Sequence, residues 1–139
     1  MNYYDFDVRI AYADTDRLGV VYYANYLVLF ERGRTEYLRS LGMRYRDLED
    51  KHKTFLPVME AHCDYFAPAS YDDLIRVRTF IAELGKAHIL FRYEISNVDS
   101  GQRVAVGTTK HPVVNRDWKP IRVPAVLKNL LAPHVASNK

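Results

Sequence analysis

The spacing of apolar residues near the start of the chain predicts a single long helix. Between Ala24 and Leu41, apolar side chains recur three or four positions apart, which is the period of one helix face. The segment contains no proline, and Gly42 follows it at a position where helices commonly end in a left-handed conformation. Its first turns, residues 26–30, are apolar almost all round. We therefore expect the rest of the chain to enclose this helix, because a surface helix carries a polar face.

After this helix the apolar period changes to two, which predicts half-buried β-strands. Apolar and polar positions alternate over residues 75–81 and again over residues 89–95, and a turn containing Gly85 separates the two segments. Three further strands are predicted at residues 6–12, 55–66 and 102–115. Residues 44–53 and 125–131 are expected to form short helical segments, and residues 137–139 are expected to be frayed.

This order of elements predicts an α+β fold. One helix follows the first strand, and about four strands then follow in succession, which favours an antiparallel sheet that takes the helix on one face. Alternating strand–helix–strand units are absent, so a parallel sheet is disfavoured. A chain of 139 residues is the size of one domain, so residues 1–139 are interpreted as a single domain with a short C-terminal tail at about 132–139.

Composition and charge narrow the class of protein. The chain is 48% hydrophobic and 27% charged, as in an ordinary globular domain. The net charge of +3 suits a phosphate-bearing small ligand as well as it suits nucleic acid. Cys63 is the one cysteine, so no intrachain disulfide can form and the cytoplasm is the expected location. No apolar run approaches the ~20 residues of a membrane-spanning helix.

Several common catalytic arrangements are missing. There is no Gly-x-Ser-x-Gly segment and no Gly-rich phosphate loop. His62 and Cys63 are adjacent on a predicted strand, so they point to opposite faces and cannot form a dyad; Cys63 is expected to be a small core residue. The five histidines lack the spacing of a zinc site, and His111 is interpreted as a hydrogen-bonded strand residue. The sequence therefore predicts no metal and no cofactor.

Two carboxylates precede the long helix in an arrangement that suits acyl transfer. Asp14 and Asp16 follow the first strand, and a turn containing Gly19 leads to the helix N-terminus, where backbone N–H groups are unpaired. A carboxylate can act as nucleophile or as general base on water, while such N–H groups stabilise negative charge on a carbonyl oxygen. The alternative is that both carboxylates serve only as turn and helix-capping residues.

A family resemblance begins in this region, with DTDRLGVVYYANY (residues 14–26) and then FERGRTEYLRSLG (residues 30–42). These segments resemble the motif region of hotdog-fold acyl-CoA thioesterases of the 4-hydroxybenzoyl-CoA thioesterase type. Three later segments support the likeness, so that it spans about residues 6–125: DYFAPASYDDLIRVRT, VAVGTTKHPVV and WKPIRVP. The resemblance implies a hotdog fold, in which an antiparallel sheet wraps around one long central helix.

The resemblance also implies the activity and the site. It implies hydrolysis of an acyl-CoA to a free acid and CoA. Asp16 falls on the catalytic carboxylate, the backbone N–H of Tyr23 falls on the oxyanion contact, and Asp14 becomes a structural neighbour. Many family members that act on short acyl chains have His where this chain has Tyr23, so a mechanism that requires that His is unavailable.

The same resemblance bears on CoA binding and on assembly. Family members commonly meet the CoA phosphates with basic residues at the turn before the fourth strand, which here offers Lys86 and His88. One sheet and one helix would leave apolar surface uncovered in a single subunit, so a homo-oligomer is expected, either a dimer or a dimer of dimers. The family implies active sites at subunit boundaries. No residue identifies the acyl group.

Two alternatives remain open at this level. One is a non-catalytic protein that uses the same pocket to bind an acyl group or CoA, or to regulate a partner. The other is a nucleic-acid-binding module, suggested by Arg76, Arg78 and Arg92 among aromatic strand residues. Solvent-facing strand positions would alternate in the same way, and no RNA-binding motif is present, so we expect no nucleic-acid partner.

Overall fold

The computed structural model describes residues 2–136, and within them it contains five strands and three α-helices. In chain order they are β1 (Tyr4–Arg9), α1 (Asn25–Ser40), α2 (Tyr45–Asp50), β2 (Glu60–Tyr65), β3 (Leu74–Leu84), β4 (His88–Asn97), β5 (Arg103–Pro112) and α3 (Ala125–Leu131). Short 3₁₀ turns lie at Tyr12–Asp14 and Ala132–His134. The strands form one sheet in the order β1-β3-β4-β5-β2, with every neighbouring pair antiparallel. The predicted α+β class is confirmed.

Helix α1 packs along one face of the sheet. Phe30 on this helix stacks on Tyr93 of β4, with the ring centroids 4.3 Å apart. Gly33 faces β3, where an added Cβ atom would lie 2.6 Å from the Oγ1 atom of Thr79. The missing side chain therefore lets the helix approach the sheet closely, and larger residues on either side of it fill the core.

The structure does not confirm a long central helix that is enclosed on all sides. Helix α1 has 16 residues, and its N-terminal half leaves Leu27 and Val28 40% and 52% exposed. The sheet covers one face of the helix and leaves these two apolar side chains open in the single subunit. The apolar character of residues 26–30 is thus only partly explained by packing within one chain.

The alternating pattern of the central strands is confirmed. On β3, Ile75, Val77 and Ile81 are fully buried against the helix side of the sheet. The opposite face is half-exposed and carries ion pairs, two of them between β3 and β1 and one within β4. Arginines on β3 and β4 form these pairs with acidic residues: Arg76 with Asp7, Arg78 with Asp5, and Arg92 with Glu94.

The predicted strand over residues 55–66 is shorter in the structure. Phe55 forms one isolated bridge to Val114, and regular pairing with β5 starts only at Glu60. Pro57 lies between them and has no N–H to donate to a ladder. The resulting strand β2 is the exposed edge of the sheet, where Cys63 alone among its six residues is partly buried. Cys63 therefore packs against the margin of the core and not inside it.

Three further boundaries differ from the prediction. Strand β1 ends at Arg9 because the chain turns at Tyr12–Asp14, where the Asp14 carboxylate accepts a hydrogen bond from the Ala11 N–H at 2.8 Å. Strand β5 ends at Pro112, so residue 115 lies outside it. In the predicted tail, Val135 pairs with Ile81 of β3, while the expected fraying of residues 137–139 concerns positions outside the described residues.

A buried hydrogen-bond chain fixes the segment that precedes β2. The Arg34 guanidinium donates to the Tyr93 hydroxyl at 3.4 Å, Tyr93 to Thr109 at 2.5 Å, and Thr109 to Nε2 of His111 at 2.8 Å. His111 Nδ1–H then donates to the Leu56 carbonyl oxygen at 3.0 Å. Burial lowers the pKa of His111, so the ring is neutral at pH 7, with the proton on Nδ1 and with Nε2 accepting from the Thr109 hydroxyl. The predicted hydrogen-bonded role of His111 is confirmed.

The burial of His111 predicts a pH-dependent stability. Burial and the nearby Arg34 charge lower the pKa of His111 from 6.5 to about 4. The unfolded chain binds this proton below about pH 6.5, whereas the folded chain does not until about pH 4. The free energy of unfolding should therefore fall by about 3 kcal/mol as the pH drops through that window. Urea unfolding between pH 7 and pH 4 measures this loss.

The matched variant for this prediction is His111→Gln, whose amide can donate and accept but cannot titrate. It should be less stable than the wild type at pH 7 because the hydrogen-bond geometry is poorer. Its stability should change much less between pH 6.5 and pH 4. A parallel fall in both proteins would show that groups other than His111 control the acid sensitivity.

Candidate active site

The loop that carries Asp16 is a tight hairpin ahead of helix α1. The Asp16 N–H donates to the Val20 carbonyl at 2.9 Å, and the Gly19 N–H donates back to the Asp16 carbonyl at 3.0 Å. Gly19 has φ +81°, a left-handed conformation that glycine adopts without strain. One carboxylate oxygen of Asp16 accepts the Leu18 N–H at 2.8 Å. The local sequence thus fixes the Asp16 side chain by one oxygen and leaves the second without a hydrogen bond among residues 2–136.

The charge of Asp16 is not neutralised by a neighbouring cation. Within the described residues no Lys, Arg or His forms an ion pair with its carboxylate. The side chain is half-buried and lies near the tyrosines that precede α1. Hydrogen bonding to the Tyr23 hydroxyl and, secondarily, the negative charges of Tyr23 and Asp16 raise the pKa of Tyr22. An unpaired carboxylate is a competent base or nucleophile at neutral pH.

The start of α1 offers a free backbone donor in the same loop, seven residues after Asp16. The Tyr22 N–H donates to the Asp14 carbonyl at 2.9 Å, and the Asn25 N–H donates to the Tyr22 carbonyl at 2.8 Å. Between them, the Tyr23 N–H has no acceptor within residues 2–136. This N–H belongs to the turn that begins the helix, where the helix dipole favours negative charge. It could therefore receive the oxygen of a polarised carbonyl group.

Asp14 has a different environment from Asp16. Its carboxylate accepts the Ala11 N–H at 2.8 Å, and its carbonyl oxygen accepts both the Tyr22 N–H and the Asn25 side-chain amide at 2.9 Å. These contacts join the 3₁₀ turn to the helix start. Asp14 therefore shapes the loop, while Asp16 keeps an oxygen available for chemistry.

Contacts from other elements hold the Asp16 loop against the sheet. The Val21 N–H donates to the Ala69 carbonyl at 2.8 Å, and Val20 pairs with Ser70. The Tyr65 hydroxyl, at the end of β2, donates to the Tyr23 carbonyl at 2.9 Å. This contact could not be predicted from the alternating pattern of the sequence, because the two residues are 42 positions apart.

The predicted phosphate-binding residues lie on the turn between β3 and β4. The Gly85 N–H donates to the His88 carbonyl at 2.8 Å and closes the turn. The His88 ring lies 3.2 Å from the Glu83 carboxylate. Lys86 instead lines a cavity of about 180 Å³ together with Arg122 and Lys128.

This cavity is a concentrated positive site that the sequence did not reveal. The Val123 N–H donates to the Lys86 carbonyl at 2.8 Å, which brings the segment after β5 against the turn. In the described part of the chain, none of the three cations that line the cavity forms an ion pair with an acid. Three unneutralised cations around one cavity suit a phosphate group.

A single subunit does not bring the two predicted sites together. The Asp16 loop is attached at Ser70, just before β3, whereas Lys86 follows the far end of β3. Eleven residues of strand separate these ends by roughly 30 Å at ~3.3 Å per residue. The Asp16 loop and the Lys86 cavity of one chain are thus at opposite ends of the sheet.

Two features are absent from residues 2–136. No helix there is both long enough and apolar enough to span a bilayer. No group of three or more His, Cys, Asp or Glu side chains in this part of the chain is arranged to hold a metal ion. The residues around Asp16 thus present a carboxylate and a backbone donor.

Comparisons with known proteins show which family the chain resembles. The model of the Thioesterase-like superfamily matches residues 10–131. Acyl-CoA thioesterase YbgC from Haemophilus influenzae is 43% identical over 94 residues, which cover 68% of this chain and 69% of the relative. Hypothetical protein TT1821 from Thermus thermophilus is 30% identical, with a TM-score of 0.89 over 97% of this chain and 99% of the other.

A third comparison is with a protein whose substrate is named. Slr0204 from Synechocystis, a 1,4-dihydroxy-2-naphthoyl-CoA thioesterase, is 25% identical, with a TM-score of 0.87 over 94% of this chain and 96% of the other. Together with the antiparallel sheet and its packed helix, these likenesses confirm the hotdog fold expected from the sequence.

Proposed function

Because the chain belongs to the Thioesterase-like superfamily, we propose that it hydrolyses acyl-CoA thioesters to a free carboxylic acid and CoA. The observation that carries this proposal is one loop that holds both Asp16, with one carboxylate oxygen free and no cation paired to it, and the Tyr23 N–H, which has no acceptor within residues 2–136. The acyl-CoA thioesterase name of the Haemophilus influenzae relative supports it. The reaction needs water as its second substrate and no cofactor.

The two groups have complementary roles in the proposed reaction. Asp16 either attacks the thioester carbonyl carbon or removes a proton from the water that does so. The Tyr23 N–H donates a hydrogen bond to the oxygen that becomes negative. The C–S bond then breaks, and CoA leaves as a thiolate that takes up a proton. If Asp16 is the nucleophile, water then cleaves the acyl-Asp16 anhydride, which releases the acid and restores the carboxylate. A thiolate is a good leaving group, so the reaction does not require the His that other family members carry.

Release of CoA from a substrate panel tests the activity. Short aliphatic, long aliphatic and aromatic acyl-CoA esters would be incubated with the protein, and a thiol-detecting reagent would measure free CoA. We expect turnover of at least one class. Binding of these esters without any CoA release would support the non-catalytic alternative instead.

The cavity lined by Lys86, Arg122 and Lys128 is the proposed site for the phosphates of CoA. Hydrogen bonds to charged groups contribute about 1.5–3 kcal/mol each. Arg122→Ala should therefore raise KM for an acyl-CoA about tenfold or more, with little change in kcat, as steady-state kinetics would measure. Lys51→Ala is the matched control, because Lys51 already lies near Asp47 on α2. An unchanged KM in Arg122→Ala would contradict this placement.

We also propose that the enzyme is a homo-oligomer built on a dimer, which the separation of the two sites supports. Strand β2 is an open edge whose neighbourhood exposes Met59, Tyr65 and Phe66. Antiparallel pairing of two β2 edges would continue the sheet and cover these side chains. It would also place the Lys86 cavity of one copy at the same end as the Asp16 loop of the other. Light scattering measures the oligomeric state.

The nucleic-acid alternative receives little support from the sheet surface. The three arginines that suggested it are paired with acids on neighbouring positions: Arg76 with Asp7, Arg78 with Asp5, and Arg92 with Glu94. Their charge is therefore largely compensated, whereas phosphate backbones require uncompensated cations. A single cysteine, with no possible intrachain disulfide, supports the further proposal that the enzyme works in the cytoplasm.

A further inference from the structure

An apolar cavity lies at the end of the sheet opposite to the Asp16 loop. Its volume is about 400 Å³, and Phe55, Pro57, Val114 and Trp118 supply most of its apolar wall. The Arg116 guanidinium lies 5.4 Å from the centroid of the Phe55 ring. Cavities of this size and character accommodate small organic groups. The proposed chemistry at Asp16 does not use this cavity within one subunit.

Trp118 at the rim of the cavity is held in an unusual conformation. It is 73% exposed and has φ +63°, in the left-handed region that a bulky side chain rarely adopts. The Asn115 side chain enforces this turn by accepting the Asp117 and Lys119 N–H groups at 2.9 and 3.1 Å. A strained and exposed tryptophan costs stability, so its position calls for a functional explanation.

The opposite wall of the cavity is rigid. Phe55 and Val114 exchange backbone hydrogen bonds at 2.9 and 3.0 Å. The next residue, Leu56, accepts the hydrogen bond from buried His111 that ends the internal chain. The cavity is therefore formed before any ligand arrives, which lowers the entropic cost of binding.

The register of the open β2 edge shows what would face this cavity in a dimer. The Phe66 N–H donates to the Val104 carbonyl of β5 at 2.8 Å. Because successive residues of a strand alternate, the N–H groups of Ala61, Cys63 and Tyr65 then point to the open edge. A two-fold antiparallel pairing through these three residues is centred on Cys63 and places Ala61 opposite Tyr65 of the second copy.

This pairing reverses the direction of the second copy, so Pro57, before β2, lies at the same end of the joined sheet as Ala69 of the second copy, which follows β2. Ala69 and Ser70 are the residues that hold Val21 and Val20 of the Asp16 loop. In such a dimer the apolar cavity of one copy and the Asp16 loop of the other would lie at the same end of the joined sheet, whereas they lie at opposite ends of one chain.

We propose that this cavity binds the acyl group of a substrate held at Asp16 of the second copy, and that Trp118 and Phe55 select aromatic acyl groups. The inference rests on the proposed thioesterase function. Two aromatic rings on an apolar wall provide stacking and edge contacts that a flat aryl group uses and a short alkyl chain does not. Trp118 therefore acts as a specificity residue, and its positive φ places the ring at the exposed rim of the cavity.

Trp118→Gly is the variant that tests selectivity with least risk to folding, because glycine adopts the positive φ without strain. The ratio of kcat/KM for benzoyl-CoA to that for acetyl-CoA should fall about tenfold or more. Phe80→Ala is the matched control, since it removes an aromatic ring from the opposite face of the sheet, where Phe80 packs under Arg92. An unchanged ratio in Trp118→Gly would overturn the inference.

A mixed dimer tests whether the cavity serves the partner's Asp16. Asp16→Asn and Trp118→Gly chains would be co-expressed with different tags, and dimers carrying both tags purified. If each site combines Asp16 of one copy with Trp118 of the other, both substitutions fall in one site of a mixed dimer and the other site is intact. Benzoyl-CoA hydrolysis should then return to about half of the wild-type rate. Activity no higher than the mean of the two parent variants would show that each site uses one chain only.

A binding measurement separates this inference from the proposed function. Trp118 is the one tryptophan of the chain, so its fluorescence reports on the cavity directly. Benzoyl-CoA added to Asp16→Asn should change the emission, whereas free CoA should not. A wild type that hydrolyses benzoyl-CoA without an emission change in this variant would overturn the cavity assignment and leave the thioesterase function in place. An emission change without hydrolysis by the wild type would support the cavity assignment and overturn the thioesterase function.

Discussion

Replacing Asp16 with Asn is expected to abolish thioester hydrolysis, with kcat reduced by about 10²–10⁴-fold. The Asn side chain keeps an oxygen that can accept the Leu18 N–H, so the loop conformation should survive. What disappears is the negative charge and the free oxygen that attack the carbonyl carbon or activate water. CoA binding should remain largely intact, because the Lys86 cavity is remote in each chain. Stopped assays of CoA release and equilibrium binding of CoA measure the two effects.

The control for this experiment is Asp14→Asn, a change in the neighbouring carboxylate. Asp14 acts through hydrogen bonds that an amide oxygen can also accept, so activity should change by only a few-fold. Retention of more than about a tenth of the activity in Asp16→Asn would contradict the assignment of Asp16 as the catalytic carboxylate. A single turnover in ¹⁸O-water separates the two roles of Asp16. Unlabelled acid from the first turnover identifies a nucleophilic carboxylate whose anhydride is cleaved at the Asp16 carbonyl carbon, whereas a general base always delivers labelled oxygen to the acid.

The sequence predicts the elements best where one chain alone buries them. Residues 75–81 and 89–95 alternate because β3 and β4 are central strands with one face against α1, and the structure extends both without moving them. Helix α1 is found within one residue of each predicted end, since apolar spacing and Gly42 define its limits. In these segments the local pattern and the tertiary burial agree.

The prediction was weakest at the β2 edge. Apolar residues at 55–59 suggested a continuous strand, but Phe55 and Pro57 line a cavity and Met59 is exposed, so their apolar character does not indicate a buried strand. Leu27 and Val28 are likewise apolar and exposed in the single subunit. A single sequence shows that a residue is apolar, but it does not show whether the same chain or a second copy covers that residue.

The candidate site shows the same limit. The segment containing Asp16 and Tyr23 could be found because its residues are close in sequence and share one loop. Arg122 and Lys128 could not, since they meet Lys86 only through the pairing of Val123 with the β3–β4 turn. Contacts of that kind depend on the fold and cannot be predicted from the alternation or spacing of residues along the chain.

Removing the Tyr23 N–H should be almost as damaging as removing the Asp16 charge, and Tyr23→Pro does so with little distortion. Tyr23 is the second residue of a turn in which the Asn25 N–H donates to the Tyr22 carbonyl at 2.8 Å. Proline is favoured at that position, and its missing N–H has no acceptor to lose within residues 2–136. The loss of one preorganised donor should lower kcat by about 10²–10³-fold.

Tyr23→Ala separates the backbone from the side chain, because it removes the exposed phenol and keeps the N–H. If the oxyanion is held by the backbone, Tyr23→Ala should retain most of the turnover while Tyr23→Pro loses it, with equal thermal stability in both. Equal losses in the two variants would assign the effect to the phenol, whose hydroxyl contacts Tyr22. A backbone donor also explains how this chain dispenses with a histidine at position 23, since the N–H is present whichever side chain the residue carries.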